Sequence, residues 1–178
     1  GAAVMRLTIL TTGGTIDKTY DEFQGSLRNA HSWLDVILDE LRTPDLFIRH
    51  VDVMHKDSLD MTDEDRRVIA KAVADALPSS DAIVILHGTD TLEQSGEHLC
   101  ETLGEVQVPV IFTGAMRPYE FRDTDAVQNV TEALLASRLL AGGIYVVMHN
   151  RVLRFPGVTK DREALTFVRA DGSHSSQE

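Results

Sequence analysis

The chain has 178 residues and a formal net charge of −11, a length that suits one globular domain and argues against two full-size ones. The acidic balance repels phosphate backbones and anionic lipid, so neither nucleic acid nor a membrane is expected as a partner. Cys100 is the only cysteine, which excludes an intrachain disulfide and C-x-x-C chemistry and predicts a cytoplasmic location.

Short apolar runs alternate with amphipathic segments along the chain. The runs of strand length cover residues 7–10, 47–53, 82–86, 110–112 and 144–148, and the helical patterns cover 33–41, 62–77, 91–103 and 126–140. Apolar runs of this kind are typical of strands buried on both faces. We therefore predict a single α/β domain over residues 4–170, with a doubly wound, mostly parallel sheet (flavodoxin-like) and helices on both faces. Residues 171–178 are predicted to be a disordered polar tail.

Polar loops follow four of the predicted strands. They contain residues 11–15, 57–60, 87–91 and 113–118, and they are rich in hydroxyl groups and glycines. The carboxyl ends of parallel strands share one edge of the sheet, where ligands bind in a crevice. Glycine beside threonine lets backbone N–H groups approach a ligand and polarise a carbonyl oxygen, which favours acyl-transfer chemistry at this edge.

A threonine nucleophile needs a base, and Lys160 is the candidate. Burial would favour the neutral amine of Lys160, whereas a nearby Asp90 would favour its charged form. The sequence leaves open which of these two effects is larger. Each feature also has a simpler interpretation, in which the Gly-Thr loops are structural turns and Lys160 is a solvated charge. Residues 11–15 do not match G-x-G-x-x-G or a P-loop, so no nucleotide or other cofactor is predicted.

Three motifs identify a resemblance to a known family. They are TGGTI at residues 12–16, HGTDT at 87–91 and TGAMRP at 113–118. Residues 57–61, the pair Asp125 and Asn129, and residues 158–160 agree as well. Together they resemble the bacterial-type L-asparaginases, amidohydrolases that release ammonia from asparagine, from about Leu7 to Lys160.

The resemblance implies catalytic roles for five residues. Thr15 resembles the nucleophile that forms an acyl-enzyme, and Thr89 with Lys160 resembles the pair that handles protons. Asp90 would complete a triad with these two. Tyr20 is similar to a lid tyrosine that orients the threonine hydroxyl.

The resemblance also implies how L-asparagine is held. Asp90 would bind its α-ammonium group and Ser58 its α-carboxylate. Backbone N–H groups of Gly14 and Gly88 would help, and Thr89 would line the same pocket. Members are dimers or tetramers, so the resemblance implies a homo-oligomer.

The chain departs from the family pattern at two places. Typical members have a second, C-terminal domain whose residues complete a neighbouring active site, and here the sequence ends soon after Lys160. The expectation is a naturally short form, with a truncated asparaginase as the alternative. Leu59 replaces the amide residue commonly found beside the binding serine, which predicts modest substrate affinity.

Several other polar residues are given structural roles. His50 and His55 are expected on opposite sides of a strand, so no metal site is predicted. His87 and Arg117 are expected to support their loops. Asp125, with Asp123, is expected to cap the helix that follows.

Two rival functions remain open. A noncatalytic sensor of asparagine or aspartate would keep the pocket without turnover. The presence of all the expected catalytic residues argues against this function. A signalling receiver of flavodoxin-like fold would need an acidic cluster after the first strand. This chain instead has threonine and glycine at residues 12–15.

Overall fold

The computed structural model describes residues 4–21, 26–29 and 33–171. The seven polar residues after 171 lie outside this range, so the predicted disordered tail stays a prediction. In the part that is described, no helix is long and apolar enough to cross a membrane.

Ten strands and four helices follow one another along the described chain. In order they are β1 (Met5–Thr11), β2 (Lys18–Asp21), β3 (Ser26–Asn29), α1 (Leu34–Glu40), β4 (Leu46–Asp52), α2 (Asp63–Ala76), β5 (Ala82–Leu86), α3 (Leu92–Leu103), β6 (Pro109–Thr113), α4 (Ala126–Leu139), β7 (Gly143–Met148), β8 (Arg151–Arg154), β9 (Val158–Asp161) and β10 (Thr166–Arg169).

The central sheet has six strands in the order β4-β1-β5-β6-β7-β8. The first five are parallel and β8 pairs antiparallel with β7 at the edge. Because the chain moves from β1 out to β4 and then back to β5, the strand order reverses between β1 and β5. Ligands of open α/β sheets bind at such a switch point.

Each face of the sheet is covered by two helices. On one face α2 and α3 pack on alternate strand residues such as Ile83 and Ile85, and on the other α1 and α4 pack on Val84 and Leu86. The period of two in a strand divides these side chains between the faces. The predicted doubly wound sheet is therefore confirmed.

The sequence predictions differ from the structure mainly at its edges. The segment predicted at 47–53 was expected to be buried on both faces, but β4 is an edge strand with alternating exposure, and Phe47 is 63% exposed. The short hairpins β2-β3 and β9-β10 and the antiparallel β8 were not predicted, since four-residue strands give little periodic signal. Thr62 caps α2 as its position suggests, with Asp65 completing a capping box.

Candidate active site

The loops that leave β1 and β5 touch at the switch point. The Thr12 N–H and Oγ1 both donate to the carbonyl of Leu86, at 3.0 and 2.7 Å. Gly14 has φ +97°, and a Cβ placed there would lie 2.6 Å from the backbone N and Cα of Gly88. Only glycine permits both that conformation and that approach. The two glycines predicted at the site are thus in backbone contact.

Ser58 joins the same contact from the loop after β4. Its side chain is buried, and its Oγ accepts a hydrogen bond from the Thr91 N–H at 3.1 Å. The Thr91 hydroxyl donates in return to the Ser58 carbonyl at 2.8 Å. A Cβ on Gly88 would lie 2.9 Å from Ser58 Oγ. Three loops therefore converge around Gly88.

Lys160 brings β9 to the loop after β5. Its Nζ donates to Thr89 Oγ1 at 2.9 Å and to Asp90 Oδ1 at 3.0 Å. The Lys160 side chain is only 7% exposed, so the solvated-charge interpretation of Lys160 is wrong. A buried ammonium group is stable only when it is paired in this way.

Asp90 is held by two cations. Arg162, two residues after Lys160, donates to Asp90 Oδ1 at 3.2 Å and to the Asp90 carbonyl at 2.9 Å. Partial burial raises the pKa of the Asp90 carboxyl, but hydrogen bonds and charge attraction from Lys160 and then Arg162 outweigh it and lower the pKa below its usual value. The carboxylate is therefore ionised at neutral pH.

Thr15 lies at the start of a single 3-10 turn after β1, directly after Gly14. The next residue, Ile16, is buried and fixes the turn against the core. Tyr20 lies in β2, and only the backbone is described there. The expected roles of Thr15 and Tyr20 stay predictions.

His87 is fully buried and has a partner on each ring nitrogen. Nδ1 lies 2.6 Å from the carbonyl of Gly88 and Nε2 lies 2.7 Å from Ser95 Oγ. Since a carbonyl only accepts, Nδ1 carries the proton and Nε2 accepts from the serine. Burial lowers the His87 pKa to about 4, so the ring is neutral at pH 7 and supports the loop, as the sequence suggests.

The loop after β6 is anchored by Asp125. Its carboxylate accepts from the N–H groups of Met116 at 3.0 Å and Arg117 at 3.1 Å, and it contacts His149 Nε2 at 2.6 Å. Burial raises the pKa of Asp125, but the bonds from His149 and from the two backbone groups outweigh burial and lower it to about 2. Although Asp125 occupies the N-cap position of α4, it makes no capping bond, so the predicted helix-capping role is wrong.

This anchored loop supports Thr89. Asn129 donates to the carbonyl of Gly114 at 2.9 Å and to Asp125 at 2.9 Å. A Cβ on Gly114 would meet the carbonyl of His87 and lie 3.8 Å from Thr89 Cγ2. The side chain of Arg117 pairs with Asp123 at 3.3 Å, so Arg117 supports the loop.

His50 and His55 share a partner rather than facing apart. Both ring Nε2 atoms approach the Asp52 carboxylate, at 3.2 and 3.9 Å. Asp52 also accepts from Thr11 Oγ1, a bond that lowers its pKa. Among the described residues no group of side chains is arranged to hold a metal ion.

Two concavities lie at the opposite edge of the sheet. One of about 370 Å³ is lined by Leu41, Leu46 and Leu135, and one of about 670 Å³ by Val106 and Gly142. Both are at the amino ends of strands. The candidate site therefore depends on converging polar loops and not on cavity size.

Arg162 and His149 also lie at this edge, although the sequence patterns do not point to either residue. Arg162 lies in the turn directly after β9, and it belongs to none of the motifs. His149 follows β7 in a tight turn with φ +53°, and nothing in the sequence near it indicates that it contacts Asp125, which is 24 residues away.

The chain is similar to known L-asparaginases in both sequence and structure. The family model described as Asparaginase, N-terminal, matches residues 6–166. An L-asparaginase of Thermococcus kodakarensis is 34% identical over 88% of this chain and 48% of its own length. The solved structure of the thermostable L-asparaginase from that organism has a TM-score of 0.82 and 32% identity, over 93% of this chain and 51% of the other.

Two further relatives are named as an asparaginase and as part of an amidotransferase. A probable periplasmic L-asparaginase of Haemophilus influenzae is 34% identical over 89% of this chain and 47% of its own length. One component of the glutamyl-tRNA(Gln) amidotransferase from Haloquadratum walsbyi is 33% identical over 80% of this chain and 33% of its own. The chain spans about half the length of the L-asparaginases it matches, and less of the amidotransferase component.

Proposed function

Because this chain belongs to the asparaginase family, we propose that it is an amidohydrolase that converts L-asparagine to L-aspartate and ammonia. The observation that carries the proposal is the buried Lys160, hydrogen-bonded to both Thr89 and Asp90 at the switch point. A lysine nitrogen held between a hydroxyl and a carboxylate can, in its neutral form, accept a proton from a reacting hydroxyl and then return it.

Thr15 is the proposed nucleophile. Its oxygen forms a bond to the side-chain amide carbon of asparagine, and its proton passes by way of the Thr89 hydroxyl to Lys160, which accepts it as a neutral amine. That proton is returned to the amide nitrogen as the C–N bond breaks, so ammonia leaves and an aspartyl ester remains on Thr15. Water then hydrolyses the ester, with the same pair accepting and returning the proton. No cofactor enters this sequence.

The substrate is held by groups at the same edge. The ionised Asp90 accepts from the α-ammonium group, and Ser58 with the backbone N–H groups of Gly14 and Gly88 binds the α-carboxylate. Charge-assisted hydrogen bonds of this type are about twice as strong as neutral ones. We propose that Tyr20 orients the Thr15 hydroxyl.

We further propose that the protein works in the cytoplasm as a homo-oligomer, a dimer or tetramer. The single, half-buried Cys100 suits a reducing compartment. Light scattering of the purified chain measures the oligomer directly, and a monomer at micromolar concentration would contradict this proposal.

A second candidate substrate is L-glutamine. It is favoured by the likeness to the amidotransferase component of Haloquadratum walsbyi. Glutamine is one methylene longer, and one methylene in a pocket changes discrimination by about 10–200-fold. Relative kcat/KM for the two amides therefore decides between them.

The test is ammonia release from L-asparagine by the purified chain, with L-glutamine in parallel. The Thr15→Ala variant should lose at least about a thousandfold in kcat, and Thr15→Ser, which keeps a hydroxyl, should retain more activity than Thr15→Ala. Lys160→Met should fall to a similar level.

A matched control comes from the outer face of α4. Thr131 is exposed and its hydroxyl donates to the Val127 carbonyl in its own helix, so Thr131→Ala should keep full activity. Asparagine binding without turnover would contradict the proposal and favour a sensor or a chain that needs a further domain for catalysis. Full activity of Thr15→Ala would remove Thr15 as the nucleophile.

A further inference from the structure

Arg162 makes an unusual contact with the group expected to bind the substrate ammonium. Its Nη1 donates to Asp90 Oδ1, the same oxygen that accepts from Lys160, and its Nη2 donates to the Asp90 carbonyl. The guanidinium is therefore fixed across two oxygens of one residue. Such two-point attachment is characteristic of arginine and holds the charge in one place.

The three groups carry an excess of positive charge. Asp90 supplies one negative charge, and Lys160 and Arg162 each supply a positive one, so the cluster has a net charge of +1 when Lys160 is protonated. A carboxylate with one buried cation as its only partner would attract a ligand ammonium more strongly. With Arg162 present, an incoming ammonium meets two cations on one side of its acceptor.

The positions of the two cations differ. The Lys160 side chain is 7% exposed, whereas Arg162 is 60% and Asp90 39% exposed. Of the two cations at the carboxylate, Arg162 is therefore the one in contact with solvent. Among the described residues, Asp90 Oδ2 accepts no hydrogen bond, so none of these residues occupies the oxygen that a ligand ammonium would use.

We propose that Arg162 is a specificity-determining residue that weakens the dependence of this site on an α-ammonium group. The site then accepts monoamides of four-carbon dicarboxylic acids with or without an α-amino group, and succinamate is a substrate beside L-asparagine. This inference rests on the proposed function, because it takes Asp90 as the ammonium acceptor.

The size of the effect follows from Coulomb's law. Removal of one unit charge about 6 Å from the ligand nitrogen, at an effective dielectric constant of about 40, changes the affinity for an ammonium about tenfold. A ligand without an ammonium group, such as succinate, has no charge at that position and does not feel this effect there. The ratio of two dissociation constants, with and without the amino group, therefore isolates the contribution.

The experiment measures binding of the two products, L-aspartate and succinate, by titration calorimetry. Binding does not need turnover, so it is independent of ammonia release, which tests the proposed function. In the unmodified chain we expect the two dissociation constants to lie within about tenfold of each other. Arg162→Gln should raise the preference for L-aspartate about tenfold, and Arg162→Lys, which keeps the charge, should change it less than about threefold.

Arg67→Gln is the matched control. It removes the same charge from the exposed face of α2, where Arg67 pairs with Glu64, and it should leave the ratio unchanged. An unchanged ratio in Arg162→Gln overturns the inference. Failure of succinate to bind the unmodified chain overturns it too, as does failure of both products to bind. Retained binding with no ammonia release would instead contradict only the proposed function.

Discussion

Replacing Gly14 with alanine tests the contact between the two loops at the switch point. The new Cβ would lie 2.6 Å from both the N and Cα of Gly88. These are backbone atoms, so no side-chain rotation relieves the clash. The positive φ of +97° adds strain of its own.

The magnitude has two parts. Holding alanine at such a positive φ costs about 1–3 kcal/mol, and forcing apart a packed contact costs about another 1–3 kcal/mol. The expected loss is therefore about 2–6 kcal/mol, and in a chain of this size each 1 kcal/mol lowers Tm by about 2–4 °C.

Gly104 provides the matched control, because it also has positive φ, +64°, but a Cβ there meets nothing within 4 Å. Denaturant unfolding should show Gly104→Ala losing only the strain contribution, with Gly14→Ala losing about 1–3 kcal/mol more. Equal losses in the two variants would refute the close approach of the loops after β1 and β5.

Three other predictions concern the groups around that contact. Asp125→Asn removes an acceptor from buried donors and should destabilise the fold by about 1–3 kcal/mol in urea unfolding. Because the pKa of Asp125 is about 2, its contribution to stability is present above pH 4 and is lost as the pH falls toward 2. A variant whose stability falls between pH 4 and 2 as much as that of the unmodified chain would contradict the anchoring role. The buried His87 has a pKa of about 4, well below the ordinary 6.5, so the unfolded state binds the extra proton and stability should fall between pH 6.5 and 4. His87→Gln should reduce that slope, and an identical slope would show that another group causes it. Ser58→Ala should mainly raise KM for L-asparagine. A fall in kcat with KM unchanged would contradict the binding role of Ser58.

The core of the fold could be predicted from sequence because its signal is local. The run 82–86 becomes β5 with the same limits, and the helical pattern that starts at residue 62 becomes α2 with Thr62 as its N-cap. The edges could not be predicted in the same way. Phe47 is apolar yet exposed on β4, since a strand's place in the sheet is a tertiary property.

The candidate site divides along the same line. The motifs carry Thr89, Asp90 and Lys160, and the structure brings these three within hydrogen-bond distance. Arg162 and His149 belong to no motif, and their partners are 72 and 24 residues away in sequence. Contacts at such separations follow from the packing of β9 and β7, which periodicity does not reveal.

The most direct test of the account is to identify the residue that carries the acyl group. The chain is mixed with L-asparagine, quenched in acid during turnover, and analysed by intact-mass and peptide mass spectrometry. We predict one aspartyl ester on the peptide that contains Thr15, absent from Thr15→Ala. An ester on Thr89, or continued ammonia release with no ester on Thr15, would contradict the account.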